Sequence, residues 1–432
     1  MSILKTLLIS IMVTCALESF GQSSFDTTRL IQTKTVTGKI SPKSVVYGDG
    51  KIYAQNMMYR HSVTVYDTLG SLLKTIPDTV TLSQFGIDNK TGVFKGAPVE
   101  GSITPDGKYY WISNYQMYGQ GFDNAGCDAC SDSTYDHSYL YAINTNTLAV
   151  DHVAEVGSVP KFLAISSDNK YLIVSNWSSA DISVVNPQNG SLIKTIQVGK
   201  HPRGLAFNQN NTKVYVALMG DDAIAEVEID SWEVSVHKDA GDAPRHILYA
   251  DSCLYYSVNN ENSVTKWDLR NDSKESAKVG TAPRSMAFSI DTAYAYVVNY
   301  SSSSLSKIKL KDMSVVQTIP TKSKPIGVTV TAQTNKVWVA CYGGSLICYE
   351  EREKPSIEES NFYMIVGSFS SEKNALNFSD ELTRKGYPAS ILSSADGKYR
   401  VSVFQSNDYS EMVQNQSKYR VIVENPWILR HR

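Results

Sequence analysis

The alternation of apolar and polar positions predicts that most of this chain is built from short β-strands. Between residues 40 and 350, runs such as YLIVSN, AYVVN and SLSKIKL follow one another and are separated by short polar turns. Short runs that alternate, or that are apolar throughout, favour strands over helices. The 26 tyrosines, against 12 phenylalanines, also lean towards β structure. We therefore predict a mainly β fold for this region.

The strand pattern recurs with a period of about 40 residues, and each period holds four strands. The clearest copies read VGSVPKFLAI, VGKHPRGLAF, AGDAPRHILY and VGTAPRSMAF. A second marker, usually asparagine, follows each repeat proline by 14 to 16 residues. The repeat prolines, two of them in weaker copies, are Pro42, Pro98, Pro160, Pro202, Pro244, Pro283 and Pro325. Four strands in a repeat of this length are typical of a propeller blade, so we predict a seven-bladed β-propeller.

The seventh repeat has only three strands before the chain turns acidic at Glu350. The missing strand is found at the other end of the region, because residues 29–40, RLIQTKTVTGKI, are similar to the fourth-strand sequence SLIKTIQVGK. We predict that this N-terminal strand completes the last blade. Such a closure removes the open edges that the ring would otherwise expose.

The repeated V-G-x-x-P-[KR] and V-x-N elements resemble those of the YVTN family of seven-bladed propellers. That family occurs in bacterial and archaeal envelope and surface proteins. The resemblance covers about residues 25–350 and implies the fold. The functions of the family are diverse, so the resemblance does not imply an activity.

Residues 1–21 have the pattern of a cleavable signal peptide. Lys5 supplies a positive charge, and the apolar run from Leu7 to Leu17 is too short to span a bilayer with margin. Ser19 and Gly21 stand at the small-residue positions of a cleavage site. We predict export to the periplasm or cell envelope, without a membrane span. An uncleaved anchor helix and a lipoprotein attached through Cys15 are the alternatives.

Two groups of residues recur on one face of the predicted disc, which we call the loop face. It carries the loops that lead into each innermost strand and those that follow each Asn marker, and both long insertions, residues 77–97 and 117–137, fall on it. Basic residues follow five of the repeat prolines: Lys43, Lys161, Arg203, Arg245 and Arg284. Aromatic residues follow four of the markers: Tyr115, Trp177, Tyr300 and Tyr342.

This combination suits an anionic small molecule with a flat or sugar-like part, or a protein partner. In the alternative interpretation, the aromatic residues pack between blades and the basic residues pair with acidic loop residues. The acidic candidates are Asp181, Asp221, Asp222 and Glu261.

Cys127 and Cys130 lie in the second insertion, in the sequence CDAC. A structural zinc site normally takes four Cys or His ligands, and here one Cys pair stands beside a single histidine, His137. A local disulfide, free thiols and a metal site remain the three alternatives. In an exported protein the disulfide is favoured, and we predict no metal.

Charge and motifs exclude several function classes. The 41 basic and 43 acidic residues give a net charge of −2, which argues against a protein built to grip nucleic acid. The serine-hydrolase, zinc-protease and Walker A motifs are missing from the sequence. His201 and His246 approach the loop face and form a weaker candidate for a metal or acid–base pair. We predict no cofactor, no catalytic residues and no enzyme activity.

The chain after residue 350 has a different pattern. Residues 351–360 are acidic and predict a linker, and residues 361–432 predict the order β-α-β-β-α-β. In the first helix of this module, apolar residues recur at three- and four-residue spacing at Ala375, Phe378 and Leu382. The expected fold is a small α+β domain of the ferredoxin/RNP-like type.

This order, with the segments YMIVGSFSSEKNA, LTRKGYPASIL and GKYRVSV, resembles the SPOR domain. The resemblance implies binding to peptidoglycan glycan strands across the sheet surface, with a preference for strands stripped of stem peptides. The residues on the matching motif positions are Tyr363, Gly367, Ser368, Phe369, Tyr399 and Arg400. In the alternative interpretation, the module packs on the propeller or binds another protein.

The sequence therefore predicts four parts: a signal peptide at 1–21, a propeller at 22–350, a linker at 351–360 and a SPOR-like module at 361–432. The predicted function is that of an exported envelope binding protein. Its C-terminal module would tether it to peptidoglycan, and the loop face would bind an unidentified ligand or protein. The alternative is a propeller hydrolase or lyase that acts on cell-wall or imported glycans.

Overall fold

The computed structural model describes residues 28–58, 60–131, 134–353, 362–394 and 396–430. The predicted signal peptide at 1–21 lies outside these residues. The described chain forms eight antiparallel sheets, of which seven belong to the repeat region and one to the C-terminal module. The innermost strands of successive repeat sheets contact one another, and the last contacts the first, so the seven sheets form a closed propeller. The predicted fold class is confirmed.

The first strand, β1 (Thr28–Thr37), belongs to the last blade, and the other strands follow blade by blade. Blade 1 contains β2 (Pro42–Gly48), β3 (Lys51–Asn56), β4 (Ser62–Asp67) and β5 (Leu72–Pro77). Blade 2 contains β6 (Thr79–Val80), β7 (Phe94–Ile103), β8 (Tyr109–Tyr118), β9 (Ser138–Asn144) and β10 (Val150–Val156). Blade 3 contains β11 (Pro160–Ile165), β12 (Leu172–Asn176), β13 (Asp181–Val185) and β14 (Leu192–Gln197).

The remaining blades repeat the same four-strand order. Blade 4 contains β15 (Pro202–Phe207), β16 (Lys213–Leu218), β17 (Ala223–Glu228) and β18 (Val234–His237). Blade 5 contains β19 (Pro244–Ala250), β20 (Cys253–Val258), β21 (Ser263–Asp268) and β22 (Ser273–Lys278). Blade 6 contains β23 (Pro283–Phe288), β24 (Tyr294–Asn299), β25 (Ser304–Lys309) and β26 (Ser314–Pro320). Blade 7 contains β27 (Pro325–Val330), β28 (Lys336–Cys341) and β29 (Ser345–Glu353).

The N-terminal strand closes the ring as predicted. Strand β1 pairs antiparallel with β29, from Thr28 opposite Glu353 to Thr37 opposite Ser345. The outer strand of blade 7 therefore comes from the beginning of the chain. Because β29 runs to Glu353, residues 351–353 of the predicted linker are in a strand, and residues 354–361 lie outside the described chain.

Two of the asparagine markers, Asn176 and Asn299, hold a turn of their blade in place. Asn299 is fully buried, and its side-chain amide donates to the Oγ atoms of Ser304 and Ser306, at 3.0 and 2.9 Å. Asn176 makes the equivalent bonds to Asp181 and Ser183. In both blades the side-chain N–H groups tie the end of the second strand to the start of the third, so these buried donors are paired.

The hydrophobic cores lie between neighbouring blades. One cluster joins Tyr215 and Ile224 of blade 4 to Ile247 and Tyr256 of blade 5, and all four side chains are buried. Burial of each large apolar side chain stabilises the fold by about 1.5–3 kcal/mol. Neighbouring blades are therefore held together by the apolar side chains that they bury between them.

The C-terminal module has the predicted order of elements. It contains β30 (Phe362–Phe369), α1 (Glu372–Arg384), β31 (Ser390–Ser393), β32 (Tyr399–Ser406), α2 (Tyr409–Gln416) and β33 (Trp427–Arg430). Its sheet has the order β31-β32-β30-β33. A 3₁₀ helix, Ser417–Val421, precedes β33, and another, Leu82–Phe85, lies in the first insertion of the propeller. In the part of the chain that the structure describes, no helix is long and apolar enough to cross a membrane.

Candidate functional site

The five basic residues predicted on the loop face are held in equivalent positions at the starts of the innermost strands. We call them the basic cluster: Lys43, Lys161, Arg203, Arg245 and Arg284. Lys161 is only 4% exposed, and Lys43, Arg203 and Arg245 are each 8% exposed. Arg203, Arg245 and Arg284 line one cavity. The structure therefore brings buried cations from several blades together.

A serine of the preceding blade positions three of these residues. The Oγ of Ser175 donates to the backbone carbonyl of Arg203 at 2.6 Å, and that of Ser257 donates to the carbonyl of Arg284 at 2.9 Å. Ser113 makes the same bond to Lys161 at 2.7 Å. These serines stand one or two residues before an asparagine marker. The repeated sequence therefore fixes the backbone position of three of the basic residues.

Two carboxylates that the sequence did not single out neutralise part of the basic cluster. Glu100 Oε1 lies 3.2 Å from Lys43 Nζ and 3.9 Å from Arg203 Nη2. Asp128 Oδ1 lies 2.8 Å from Lys161 Nζ. Glu100 comes from the weak repeat copy at Pro98, and Asp128 comes from the CDAC insertion.

The acidic residues named in the alternative interpretation make other bonds. Asp181 accepts from Asn176, Asp221 from the backbone N–H of Lys200, Asp222 from that of Ala243 and Glu261 from that of Asp242. The Asp181 bond lies within blade 3, and the other three carboxylates accept from the loops that lead into the innermost strands. They are not the ion-pair partners of the basic cluster.

Arg245 and Arg284 have no carboxylate partner among the described residues. Arg245 Nη1 donates to the sulfur of Met219 at 3.4 Å. The Arg284 guanidinium lies 4.4 Å from the ring centre of Tyr300. A desolvated cation without a counter-charge is costly, so the cluster has an electrostatic demand for an anion.

Two of the four predicted aromatic residues, Tyr115 and Trp177, lie beside Lys161. Its Nζ lies 4.2 Å from the ring centre of Tyr115 and 5.2 Å from that of Trp177. Tyr115 donates its hydroxyl hydrogen to Asp128 Oδ1 at 3.2 Å, and Trp177 Nε1 donates to the Asp128 carbonyl at 3.1 Å. Tyr342 lies in the turn after β28, where its N–H donates to the carbonyl of Lys324.

The second insertion is fastened over this part of the loop face. A disulfide joins Cys127 to Cys130. The carbonyl of Cys127 accepts from Ser178 Oγ at 3.1 Å, and the carbonyl of Cys130 lies 3.2 Å from Nε2 of His201. The disulfide closes the short loop that presents Asp128 to Lys161.

Burial changes the ionisation of the basic cluster. Desolvation, together with the nearby Arg203 charge, lowers the pKa of Lys161 to about 7. Desolvation also lowers the pKa of Lys43 to about 8, although Glu100 opposes this effect. Burial, followed by the charges of Arg203 and Arg245, lowers the pKa of His246 to about 3, so this imidazole is neutral. The neutral imidazole of His246 can donate a hydrogen bond, and it lies next to the charged guanidinium groups of Arg203 and Arg245. This arrangement is well suited to binding an anion.

Raising the pH from about 7 to about 9 should stabilise the propeller through the two buried lysines. An unfolded lysine has a pKa near 10.5, so in this window the unfolded chain binds more protons than the folded chain. The free energy of unfolding therefore rises with pH. Urea unfolding at both pH values should show a smaller rise for Lys161→Met than for the parent. The exposed Lys194→Met variant is the control, and an equal rise in all three proteins would contradict the assignment.

The predicted glycan-binding residues of the C-terminal module separate into two groups. In the pairing of β30 with β32, Ser368 lies opposite Arg400 and Phe369 lies opposite Tyr399. Ser368 is exposed, and Arg400 and Tyr399 are half-buried. Tyr363, at the other end of β30, is fully buried, so it does not belong to this surface.

Gly367 has a packing role beside these residues. A Cβ at this position would lie 2.8 Å from the ring of Phe369 and 3.0 Å from that of Phe378. Those two rings pack with their centres 5.5 Å apart. The glycine therefore lets β30 approach helix α1 and fixes the Phe369 ring beside Tyr399.

The comparisons with known proteins identify this C-terminal module. Residues 358–430 match the family model of the SPOR domain. This part of the chain is a SPOR domain. Its presence implies that the protein binds peptidoglycan and belongs to the cell envelope. No curated protein matches the chain.

The region outside the SPOR domain is similar in fold to a known enzyme. The chain matches the crystal structure of virginiamycin B lyase from Staphylococcus aureus with a TM-score of 0.56 and 11% identity. The match covers 75% of this chain and 99% of the other. At this identity the likeness shows the propeller fold alone. The finer resemblance of the repeats to the YVTN family stays a prediction.

The match also corrects one prediction. The lack of a familiar catalytic motif led us to predict that the chain is not an enzyme, and the likeness to a lyase contradicts that prediction. A propeller of this kind carries catalysis in another protein. The lack of those motifs is therefore no evidence against an activity.

Proposed function

We propose that this protein is exported through the signal at residues 1–21 and is held on peptidoglycan by its SPOR domain, while the loop face of its propeller binds an anionic ligand or a protein partner. The observation that carries the proposal is the union, in one chain, of a SPOR domain with a propeller whose basic cluster holds four buried cations and pairs with only two carboxylates, Glu100 and Asp128. The first part provides the attachment, and the second provides a binding site.

The proposed wall-contact surface lies where β30 and β32 end side by side. Ser368 and Arg400 are paired across the strands there, and Tyr399 is opposite Phe369. A serine hydroxyl and a guanidinium can hydrogen-bond the hydroxyl and acetamido groups of a glycan, and an aromatic ring can stack on a sugar face. Arg400 is held in place by Asp396, at 2.6 Å.

The proposed propeller ligand approaches the side of the loop face where Tyr115, Trp177 and Lys161 meet. These rings and the lysine provide stacking surfaces and one positive charge. Asp128 already contacts Lys161 through a carboxylate, so a carboxylate or phosphate on the ligand is the chemical group that would compete for the same contact.

Sedimentation with purified peptidoglycan tests the attachment. We expect the full chain to be retained and a chain that ends at Glu353 to lose at least about tenfold in affinity, because a SPOR–glycan contact of about 1.4 kcal/mol or more would be removed. The truncation must retain Glu351, since its carboxylate is buried against Lys307 inside the propeller. Arg400→Gln should weaken retention in the full chain.

The matched control is Arg420→Gln, because Arg420 is an exposed arginine elsewhere in the SPOR domain. This variant should bind peptidoglycan as the parent does. Equal retention of the parent and the chain that ends at Glu353 would refute the tether. Loss of retention in both arginine variants would show that bulk charge, and not the proposed surface, governs binding.

A further inference from the structure

A small cavity lies on the propeller axis among the arginines of blades 4, 5 and 6. Arg203, Arg245 and Arg284 line it, together with Glu100 and the apolar side chains of Phe162 and Ile326. The room inside is about 10 Å³, which is enough for one water molecule or one small ion. This cavity is therefore distinct from the Tyr115–Trp177 surface, where a larger ligand would bind.

The charge on the cavity wall is strongly positive. Three guanidinium groups face a single carboxylate, and Glu100 is shared between Arg203 and Lys43, which lies outside the cavity lining. The charges of Arg203 and Arg284, after burial itself, lower the pKa of Arg245. The three arginines thus repel one another at a largely buried site, where water screens charges less than in bulk solvent.

Two buried donor atoms on the cavity wall also lack partners among the described residues. They are Nδ1 of His246 and Nε of Arg284. His246 is 7% exposed, and its ring is fixed edge-on against Phe162, with the ring centres 4.8 Å apart. Buried polar atoms normally have a hydrogen-bond partner, and a neutral imidazole can donate its N–H to an anion.

We propose that this cavity is a binding site for one small inorganic anion of halide size, with chloride as the natural occupant. Arg245 and Arg284 supply the uncompensated charge, His246 supplies a neutral donor, and Phe162 and Ile326 provide the apolar wall that a weakly hydrated halide tolerates. The anion offsets the repulsion among arginines from three blades and so stabilises the ring. This site shares its three arginines with the basic cluster of the proposed function, but its occupant is a separate, smaller anion, and it does not depend on the wall attachment.

Thermal unfolding at constant ionic strength tests the proposal. Replacing sodium gluconate by sodium chloride should raise the melting temperature saturably, by on the order of 5 °C at a chloride concentration about 100 times the dissociation constant. Gluconate is too large for the cavity. Arg245→Gln should lose the chloride response, while Arg270→Gln, which removes an exposed arginine from the same blade, should keep it.

Bromide provides a test that does not depend on the folding of any variant. Crystals of the parent soaked in sodium bromide should show an anomalous peak between the three guanidinium groups. A peak elsewhere only, or a melting temperature that responds equally to chloride and gluconate, would overturn the proposal. A stronger response to sulfate than to chloride would also overturn it, since sulfate exceeds the size of the cavity. None of these measurements involves peptidoglycan, so failure here is distinguishable from failure of the tether.

Discussion

Deletion of residues 25–40 should lower the melting temperature of the propeller by about 10 °C or more, which corresponds to roughly 3–5 kcal/mol for a domain of this size. Strand β1 is the outer strand of blade 7 and pairs with β29 along almost its whole length. Its removal would expose that edge and take the side chain of Leu30, which is 1% exposed, out of the core. Differential scanning calorimetry of the two chains measures the effect.

Two further samples make the interpretation specific. Thr37→Ala, which changes an exposed residue of the same strand, should melt as the parent does. A synthetic peptide of residues 25–40, added to the deleted chain, should restore part of the lost stability because it can pair with the free edge of β29. An unchanged melting temperature after the deletion would mean that three strands suffice for blade 7 and that closure by β1 adds nothing.

Glu351→Gln should destabilise the protein by about 3–5 kcal/mol, because it removes one charge of a buried ion pair. The carboxylate of Glu351 lies 3.1 Å from Lys307 Nζ, and the two side chains are 2% and 1% exposed. It also accepts hydrogen bonds from Tyr296 and from Thr28 of β1, each at 2.7 Å. The same group therefore joins blade 6, blade 7 and the N-terminal strand. Urea unfolding measures the loss.

The adjacent residue provides the matched control. Glu350 pairs with Lys336 at 3.2 Å, but its side chain is 29% exposed. Glu350→Gln should therefore cost less than about 1 kcal/mol. The double variant Lys307→Met/Glu351→Leu should regain much of the stability lost in Glu351→Gln, because it removes both buried charges. Equal effects of the two single glutamine variants would show that the buried pair has no special role.

Local sequence patterns were sufficient to predict the architecture because each blade repeats the same physical requirements. The repeat proline begins an innermost strand. The side-chain amides of Asn176 and Asn299 donate hydrogen bonds to the start of the next strand and so hold the turn between the two strands. The similarity of residues 29–40 to other fourth strands was enough to predict the closure, because the pattern of strands requires a partner for β29. The order of elements in the C-terminal module was likewise readable from hydrophobic periodicity.

The sequence by itself determined the seven-bladed ring, its closure by β1, the SPOR module and the recurrence of basic residues after the repeat prolines. Only the tertiary structure decided which carboxylates meet the basic cluster, since Glu100 and Asp128 reach it from a weak repeat and an insertion that share no motif. Only the structure removed Tyr363 from the wall-contact surface, because burial depends on every element packed around a side chain. Repetition encodes contacts within a blade, whereas charge balance on the axis depends on all seven blades together.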